Sequence, residues 1–291
     1  MNRGVLLLAH GAPERLEDVD RYLANVRSGR PLAPSVVEEI RQRYATIGGC
    51  SPLGYWTRVQ ARALEAALGI PVYYGMRNWH PFIREVMAQI AGSPVERLAA
   101  ICLAPQYSKL SVGLYFRRTQ EAKQETGAPV AIVWAKSFHR HPQLVEAFAA
   151  NLEPVAGGRK VLFTAHSLPE KILEQADPYD AEARGTAAAV AERLGLADWD
   201  FAYQSQGMTD EQWLGPTVES CLDRYAAEGV RDVVLAPIGF VCDHVEILYD
   251  VDIVFRGYAA ERGIRLVRPE SLNGSLKLTA ALADVAMRCL A

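Results

Sequence analysis

The sequence predicts an α/β protein made of two similar halves, each with a parallel sheet flanked by helices. Short, almost continuously apolar segments alternate with longer segments of helical periodicity, which is the pattern of strands covered on both faces. Strand motifs of the first half recur in the second half. The length of 291 residues corresponds to about two domains of ~150 residues each.

Eight short segments are predicted as strands, four in each half. Each consists mainly of apolar or β-branched residues, and they lie at 5–8, 72–74, 99–103, 131–134, 160–164, 201–204, 232–235 and 265–267. Segments with apolar residues at helical spacing lie at 51–68, 81–91, 112–126, 143–152, 181–194, 244–262 and 276–290. The alternation predicts parallel pairing, because parallel neighbours need a crossover connection between them.

The internal similarity is carried by two pairs of strands. Residues 5–10 (VLLLAH) resemble residues 161–166 (VLFTAH), and the two histidines are 156 positions apart. Residues 101–105 (ICLAP) resemble residues 233–237 (VVLAP). Two matches in the same order make chance the weaker interpretation, so we infer two Rossmann-like halves.

The boundary between the halves is predicted near 151–158, where proline and glycine cluster. This division gives an N-terminal half over 1–150 and a C-terminal half over 151–291. The last predicted helix, at 276–290, is free to pack back across the first half.

Composition and charge exclude several classes of protein. Half of the residues are hydrophobic and 22% are charged, which supports a buried core. No apolar run approaches the ~20 residues of a membrane span, and the N-terminal apolar run is too short for a signal peptide, so we expect a cytoplasmic protein without stable membrane insertion. A net charge of −3 does not favour nucleic-acid binding. Five scattered cysteines support neither a disulfide framework nor a zinc ribbon.

The net charge conceals an asymmetry between the two halves. Residues 1–155 carry a net charge of +5, and residues 156–291 carry −8. This division suits a ligand with anionic arms that meets a cation, and random scatter of surface charge is the alternative.

Ligands in parallel α/β sheets bind beyond the carboxyl ends of the strands. Four loops meet that condition: His10-Gly11, Gln106-Tyr107-Ser108, His166-Ser167 and Gly239-Phe240-Val241. Histidines at equivalent strand ends in both halves favour a functional role over a structural one. No glycine-rich nucleotide motif follows a strand and no nucleophile elbow occurs, so nucleotide binding and α/β-hydrolase chemistry are not supported.

The densest ionisable cluster occupies 243–252, at the start of a predicted helix. Asp243 is expected to cap this helix and to share one α-helical face with Glu246 and Asp250. Carboxylates among apolar neighbours either have raised pKa values or hold a cation. With His244 beside them, the ligand types suit a divalent ion such as Fe²⁺, Co²⁺ or Zn²⁺.

The first half contains basic side chains with hydroxyl groups near them in sequence. They are Arg27, Arg30, Arg41, Arg43, Tyr44 and Ser51. Arginine binds carboxylates through two parallel hydrogen bonds, so this group suits an acidic ligand. Arg30 stands between glycine and proline in a loop, which favours a ligand contact, whereas Arg41 is expected to be a solvated surface charge.

Several motifs together make the sequence resemble a ferrochelatase of the compact soluble bacterial type. They span nearly the whole chain and lie at 9–11 (AHG), 47–53 (IGGCSPL), 74–81 (YGMRNWHP), 103–108 (LAPQYS), 165–169 (AHSLP), 204–206 (QSQ), 213–216 (WLGP) and 237–246 (PIGFVCDHVE). The resemblance implies a porphyrin cleft between two Rossmann-like halves. It also implies insertion of Fe²⁺ into a porphyrin, a late step of haem synthesis, without an organic cofactor.

The resemblance further implies roles for individual residues. His166 matches the family's catalytic histidine and Glu246 the carboxylate facing it, and together they serve metal capture and pyrrole deprotonation. Asp243, His244 and Asp250 match an acidic helix that lines the metal or proton route. The positions that match the family's propionate site are Arg27, Arg30, Arg43, Tyr44 and Ser51.

Some positions depart from the family pattern or leave alternatives open. Relatives that use coproporphyrin often carry Tyr where this chain has His10, so His10 either ligates the iron from the face opposite His166 or holds a water. The substrate is therefore coproporphyrin III or protoporphyrin IX. Tyr107 is expected in the wall of the porphyrin site. Only Cys289 lies near the C-terminus, so no iron–sulfur cluster is expected.

Two other functions fit the residues less well. A cobalt chelatase acting on a related tetrapyrrole needs more anion-binding groups and more histidines around the cleft. A haem or porphyrin carrier without turnover needs an axial ligand but no acid–base helix, and the cluster at 243–252 argues against it. The partners expected are a porphyrin, ferrous iron and a haem-type product, and the chain is expected to be a monomer.

Overall fold

Two parallel sheets of four strands each form the frame of the protein. The structure, a computed structural model, describes residues 2–207 and 211–291. The strands are β1 (Arg3–Ala9), β2 (Val72–Met76), β3 (Arg97–Cys102), β4 (Ala131–Ala135), β5 (Lys160–His166), β6 (Trp199–Gln204), β7 (Asp232–Pro237) and β8 (Arg265–Val267). The spatial orders are β2-β1-β3-β4 and β6-β5-β7-β8, so the second sheet repeats the first. The predicted fold class is confirmed.

The central strand of each sheet determines where the two predicted histidines lie. β1 pairs in parallel with β2 and β3, and β5 pairs in parallel with β6 and β7. Both strands are buried, since helices cover both faces of each sheet, and this burial explains their continuous apolar sequence. His10 follows β1 and His166 ends β5, so each histidine emerges in the middle of a sheet's carboxyl edge.

The α-helices lie between and after the strands. They are α1 (Val19–Val26), α2 (Pro34–Thr46), α3 (Leu53–Leu68), α4 (Ile83–Ala91), α5 (Val112–Thr126), α6 (Pro142–Ala156), α7 (Tyr179–Leu194), α8 (Val218–Ala227), α9 (Arg256–Glu261) and α10 (Leu276–Leu290). Three of them, α1, α2 and α8, lie outside the predicted segments. The helix α2 buries only Tyr44, so its sequence carries little apolar periodicity. No helix within 2–207 or 211–291 has both the length and the hydropathy needed to cross a membrane.

The segment predicted as one helix at 244–262 is not an ordinary α-helix. Glu246–Phe255 forms a π-helix, whose hydrogen bonds join residues five apart, and α9 continues directly from it. The wider turn changes which side chains share a face. The prediction that three carboxylates lie along one α-helical face is therefore wrong, because only two of them belong to the helix and its period is not 3.6 residues.

The prediction that Asp243 caps this helix is also wrong. The N-cap residue is Val245, which makes no side-chain capping bond. The Asp243 carboxylate instead accepts hydrogen bonds from Ser271 Oγ at 2.7 Å and Asn273 Nδ2 at 2.9 Å. The Asp243 carboxylate is therefore bound by residues about 30 positions later in the sequence, and not by the backbone at the start of the helix as local spacing predicted.

The last helix, α10, returns from the second half to the first. It packs against α3, α6, β3 and β4. His141, at the start of α6, contacts the Asp284 carboxylate at 2.6 Å, and Arg97 donates to the Cys289 carbonyl at 3.2 Å. The predicted division at residue 150 falls within α6, and α10 crosses it, so the two halves share one core.

Candidate functional site

A cavity of about 340 Å³ lies between the halves, at the carboxyl ends of their strands. Residues from the four predicted loops contribute to its wall: His10, Gly11, Gln106, His166, Gly239 and Phe240. Most of the remaining wall is apolar, with leucine side chains from both halves. A concave, largely apolar cavity with a few convergent polar groups is the usual form of a small-molecule site.

His166 presents one ring nitrogen to the cavity because the protein occupies the other. Its Nδ1 makes a short hydrogen bond to the carbonyl of Ser167, and Tyr179 Oη donates to the carbonyl of His166 itself at 2.7 Å. The free Nε2 lies 3.6 Å from Glu246 Oε1. Burial alone would lower the pKa of His166, but the Glu246 carboxylate and the bond to Ser167 outweigh burial and raise it above the ordinary 6.5.

Glu246 stands between two histidines at the start of the π-helix. Its Oε2 lies 3.6 Å from Nε2 of His244, and the Nδ1 of His244 bonds to the Cys242 carbonyl at 3.0 Å. Burial would raise the pKa of Glu246, but His166 and His244 lower it well below the ordinary 4.5. The carboxylate is therefore ionised at neutral pH. Across residues 2–207 and 211–291, no three His, Cys, Asp or Glu side chains are arranged closely enough to enclose a metal ion.

Asp250 lies one turn further along the π-helix and does not line the cavity. Ser205 Oγ makes a short hydrogen bond to its carboxylate. Burial, together with the nearby Glu246 charge, raises the pKa of Asp250 above 3.8 against the effect of that hydrogen bond. The Glu246–Asp250 pair therefore joins an ionised carboxylate to one that protonates more readily.

The structure places Asp243 away from the cavity wall. Besides its bonds to Ser271 and Asn273, its carboxylate lies 3.3 Å from the Arg268 guanidinium, which also binds Asp252 at 2.8 Å. This network ties the loop before the π-helix to the segment before α10. The geometry gives Asp243 a structural connection rather than a position in the cavity.

His10 lines the opposite wall in a different electrostatic setting. Its Nδ1 lies 3.4 Å from an Arg77 guanidinium nitrogen and its Nε2 lies 3.0 Å from Asn78 Nδ2. The edge of the Tyr22 ring packs on the imidazole with the ring centres 6.3 Å apart. Burial and the Arg77 charge lower the pKa of His10 from 6.5 to about 3, so the ring is neutral.

Two of the residues predicted to hold carboxylates reach the cavity. Tyr44 and Ser51 both line it and both are buried. Burial raises the pKa of Tyr44 above its ordinary 10, so its hydroxyl keeps its hydrogen. Ser51 Oγ accepts a hydrogen bond from the Leu53 amide at 3.3 Å and can still donate its own hydrogen.

The predicted arginines lie outside the cavity wall. Arg27 and Arg30 follow α1, are exposed and have no ion-pair partner in the part of the chain that the structure describes. Arg43, on α2, pairs with Glu39 at 2.6 Å, and its guanidinium lies 5.5 Å from the centre of the Tyr249 ring on the π-helix. Arg43 therefore contacts the second half directly.

Tyr107 also lies outside the wall in which it was expected. Its ring has the Lys136 ammonium 4.7 Å from its centre and the Phe116 ring beside it, and Tyr107 is not among the residues that line the cavity. The residue before it, Gln106, faces the cavity and donates to the Ile238 carbonyl at 3.1 Å. Of these two neighbouring residues, Gln106 lines the cavity and Tyr107 does not.

Sequence reasoning missed three polar residues at or behind the cavity wall: Arg77, Asn78 and Tyr22. The first two directly follow β2, so the rule about carboxyl ends of strands would have found them had it been applied to that strand. Tyr22 lies on α1, whose apolar residues Val19, Tyr22, Leu23 and Val26 recur at helical spacing, so periodicity would have indicated this short helix had it been applied to that segment.

Comparison with known proteins identifies the family. The sequence matches the family Ferrochelatase over residues 2–290. A ferrochelatase of Acidobacterium capsulatum is 48% identical over 305 residues, covering 97% of this chain and 93% of that protein. A coproporphyrin III ferrochelatase of Geobacillus thermodenitrificans is 34% identical over 304 residues, covering 99% and 96%.

Solved structures agree with this at the level of the fold. SirB of Bacillus subtilis, solved with Fe³⁺, aligns with a TM-score of 0.66 at 9% identity, over 100% of this chain and 96% of SirB. CbiX, an enzyme of sirohaem biosynthesis, aligns with a TM-score of 0.56 at 16% identity, over 99% and 100%. The match over nearly the whole sequence and the identity to these relatives show that the chain belongs to the ferrochelatase family.

Proposed function

We propose that the cavity holds a porphyrin between its two walls, with His10 facing one side of the macrocycle and His166 with Glu246 facing the other. As a ferrochelatase, the protein inserts Fe²⁺ into a porphyrin in haem biosynthesis. The observation that carries the proposed site is the buried pair itself. An ionised carboxylate lies 3.6 Å from the free nitrogen of a histidine whose pKa is raised, and both groups line the cavity.

His166 is proposed as the acceptor of pyrrole protons. Metal insertion replaces two N–H protons of the porphyrin, so the site needs a base that works near neutral pH. The hydrogen on Nδ1 is directed to the Ser167 carbonyl, which leaves the lone pair on Nε2, and Glu246 stabilises the imidazolium that forms. Asp250, with its raised pKa and its bond to Ser205, is proposed as the next proton acceptor.

The same acidic wall is proposed to attract Fe²⁺, which is a substrate here. Carboxylate oxygen and neutral imidazole nitrogen suit a borderline divalent ion, and His166, His244 and Glu246 supply both types at the wall, with Asp250 one turn behind them. A metal in transit needs ligands that release it, so separations of 3.6 Å between these groups suit the task better than a closed site. For Asp243 we propose only that its bonds hold the loop on which His244 stands.

The propionate groups of the porphyrin are proposed to bind on the first half. Tyr44 and Ser51 offer hydroxyl groups inside the cavity. Arg27 and Arg30 offer exposed guanidinium groups that have no carboxylate partner among the described residues, and Arg43 offers a third beside the second half. Arginine forks bind carboxylates in pairs of hydrogen bonds, which supports this assignment.

The location, oligomeric state and cofactor requirement of the protein are also proposed. We propose a cytoplasmic monomer that uses neither an organic cofactor nor an iron–sulfur cluster. In support of the last point, the cysteines are dispersed: Cys102, Cys221 and Cys242 are buried in separate parts of the fold, Cys50 is exposed, and Cys289 is half-buried on α10.

The test is anaerobic mixing of the protein with a metal ion and a porphyrin while the visible spectrum is recorded. Fe²⁺ and Co²⁺ are each combined with coproporphyrin III and with protoporphyrin IX, and the initial rates are compared. Faster formation of the iron product identifies the metal, and the faster porphyrin identifies the substrate. A cobalt preference indicates a cobalt chelatase, whereas binding of porphyrin or haem without turnover indicates a carrier and contradicts the proposed site chemistry.

A further inference from the structure

Both ring nitrogens of His10 are already in contact with the protein. Asn78 Nδ2 lies 3.0 Å from Nε2, and an Arg77 guanidinium nitrogen lies 3.4 Å from Nδ1. The Arg77 guanidinium is held from its other side by the Tyr115 ring, whose centre is 4.9 Å away, and the Tyr22 ring packs edge-on against the imidazole. Three side chains therefore contact the ring of His10, and Tyr115 packs on the guanidinium of one of them.

The backbone builds this arrangement. The amide of Arg77 donates to the Ala9 carbonyl at 2.9 Å, and the amide of Asn78 donates to the His10 carbonyl at 2.9 Å. The chain after β2 thus runs directly beside the chain after β1. Gly11 has φ of +84°, and a Cβ there would lie 2.8 Å from a backbone nitrogen of the neighbouring segment. Only glycine permits so close an approach.

The charges around His10 oppose a second hydrogen on its ring. Arg77 has no ion-pair partner among residues 2–207 and 211–291, so its positive charge acts directly on the imidazole. Across the cavity, His166 and His244 also disfavour protonation of His10, and Glu246 is the group that favours it. The result is a pKa of about 3.

Arg77 and Asn78 together favour one neutral form of the ring. The guanidinium can only donate, so Nδ1 is the acceptor and Nε2 carries the hydrogen, and the Asn78 amide accepts that hydrogen when it turns its oxygen to Nε2. Asn78 is 5% exposed and does not line the cavity, so it acts through His10 and not on a ligand. To reach a metal, His10 would have to leave this buried amide without a partner.

We propose that Arg77 and Asn78 are positioning residues that occupy both nitrogens of His10, so that His10 meets the porphyrin face as a neutral imidazole and does not ligate the iron. This inference rests on the proposed function of the cavity. It decides against one of the two roles that the sequence left open for His10. It also makes the two walls unequal, since among the described residues the wall with His166 offers a free imidazole nitrogen and the wall with His10 does not.

One experiment tests ligation. The protein and its His10→Ala variant are each loaded with the Fe³⁺ complex of coproporphyrin III or of protoporphyrin IX. The axial ligands of the iron are then identified by electron paramagnetic resonance and resonance Raman spectroscopy. The spectra of the two proteins are expected to show the same axial ligands. Loss of an axial imidazole in the His10→Ala variant would overturn the proposal.

A second experiment tests positioning in the ligand-free protein. The ring nitrogens of ¹⁵N-labelled His10 are observed by NMR in the unmodified chain, in Asn78→Ala and in the control Asn25→Ala. Asn25 donates to the backbone carbonyl of Asn78 at 3.1 Å, so its loss disturbs the same segment without removing the bond to the ring. A shift of the His10 ring nitrogens is expected in Asn78→Ala and not in the control.

Equal His10 signals in the Asn78→Ala variant and the unmodified chain would also overturn the proposal, even if the axial ligands match. If the unmodified chain binds neither iron porphyrin, the proposed function of the cavity fails. The NMR comparison then still decides whether Asn78 positions His10.

Discussion

The two halves place a histidine at the same point of the same strand order, and the two histidines have opposite properties. His10 follows β1 beside the guanidinium of Arg77, and its pKa is lowered to about 3. His166 ends β5 beside the carboxylate of Glu246, and its pKa is raised. The repeated fold therefore provides two equivalent positions. Burial lowers the pKa of both imidazoles, and the Arg77 charge adds to this effect at His10, whereas the Glu246 carboxylate outweighs it at His166.

The neighbours differ because they come from different loops of the repeated unit. Arg77 follows β2, which is the edge strand beside β1. Glu246 begins the π-helix after β7, which pairs with β5 on its other side. In a fold with internal repetition, the histidines of the two halves can thus acquire different properties while the central strands keep their positions. The difference lies in which neighbouring loop supplies the charged residue beside each histidine.

The largest expected effect is loss of insertion when the acidic wall is altered. His166→Ala removes the proposed proton acceptor and Glu246→Gln removes the charge that supports it, so each is expected to lower the insertion rate roughly 10²–10⁴-fold. Porphyrin binding should persist, because most of the cavity wall is unchanged. His80→Ala is the control, since His80 is exposed and lies outside the cavity. Turnover like that of the unmodified chain in either variant contradicts the site assignment.

The next effect concerns stability at acidic pH and distinguishes the two histidines. The folded-state pKa of His10 is about 3 against an ordinary 6.5, so the unfolded chain binds the extra proton between these values. Stability is therefore lost as the pH falls below 6.5, by up to about 1.4 kcal/mol per pH unit. The His10→Gln variant lacks this loss. Its free energy of unfolding, measured by urea unfolding, should therefore rise by roughly 2 kcal/mol relative to that of the unmodified chain when the pH is lowered from 7 to 5.

His166→Gln is the matched variant, and its sign is the reverse. The pKa of His166 is raised, so its contribution to stability is fully present below the unfolded-state pKa of about 6.5 and is lost as the pH rises through the folded-state pKa. This variant should therefore be more destabilised at pH 5 than at pH 8. Stability differences that stay constant with pH in both variants would remove the electrostatic contrast between the halves.

A smaller effect on stability and insertion rate is expected from the residues that lie two positions before the histidines on the central strands. At this position, Leu8 of β1 is equivalent to Thr164 of β5. Both are fully buried. Thr164 Oγ1 donates to Gln204 Oε1 at 2.6 Å, and Gln204 Nε2 donates to the Glu246 carbonyl at 3.3 Å. Thr164→Val leaves a buried amide oxygen without its partner, which costs about 1–3 kcal/mol in the free energy of unfolding.

Leu6→Val is the control for that substitution, because Leu6 is fully buried on β1 and, unlike Leu8, does not line the cavity. It removes one buried methylene, which costs about 1 kcal/mol in the free energy of unfolding, and its apolar side chain has no hydrogen bond to lose. Both variants should therefore be less stable, as measured by thermal unfolding. Only Thr164→Val should also lower the insertion rate, because Gln204 supports the backbone that carries Glu246. Equal rates in the two variants would show that this chain of hydrogen bonds does not reach the site.

The elements that could be predicted from the sequence are those with local, repeated signals. The eight strands are continuous apolar segments, and the position of the cavity follows from a general property of parallel sheets. The π-helix was predicted as an α-helix. The spacing of apolar residues does not show whether the backbone hydrogen bonds join residues four apart or five apart. The helix α2 was missed because it buries little more than Tyr44.

The parts of the site that could not be predicted depend on contacts between distant loops. His166 and Glu246, which the structure brings together at the cavity wall, could be singled out because His166 ends β5 and Glu246 begins the helix that follows β7. Asp243 was given the wrong local role because its partners, Ser271 and Asn273, lie in a segment without periodicity. The bond between Asn78 and His10 joins residues 68 positions apart and leaves no pattern in either segment.

The smallest expected effect tests whether the charge asymmetry of the halves serves the ligand. Arg30 is exposed and unpaired in the described ranges, so a carboxylate bound to it remains in contact with water and contributes only about 0.5–1 kcal/mol. Arg30→Ala should therefore weaken binding of a free-acid porphyrin about two- to five-fold, measured by fluorescence quenching, and leave binding of its methyl ester unchanged. Arg231→Ala, an exposed arginine of the second half, should change neither. The loss should shrink as salt is added, because exposed charges are screened. Equal weakening for the acid and the ester would show that Arg30 affects binding through the conformation of its loop. It would contradict the proposal that this arginine of the basic half binds a propionate.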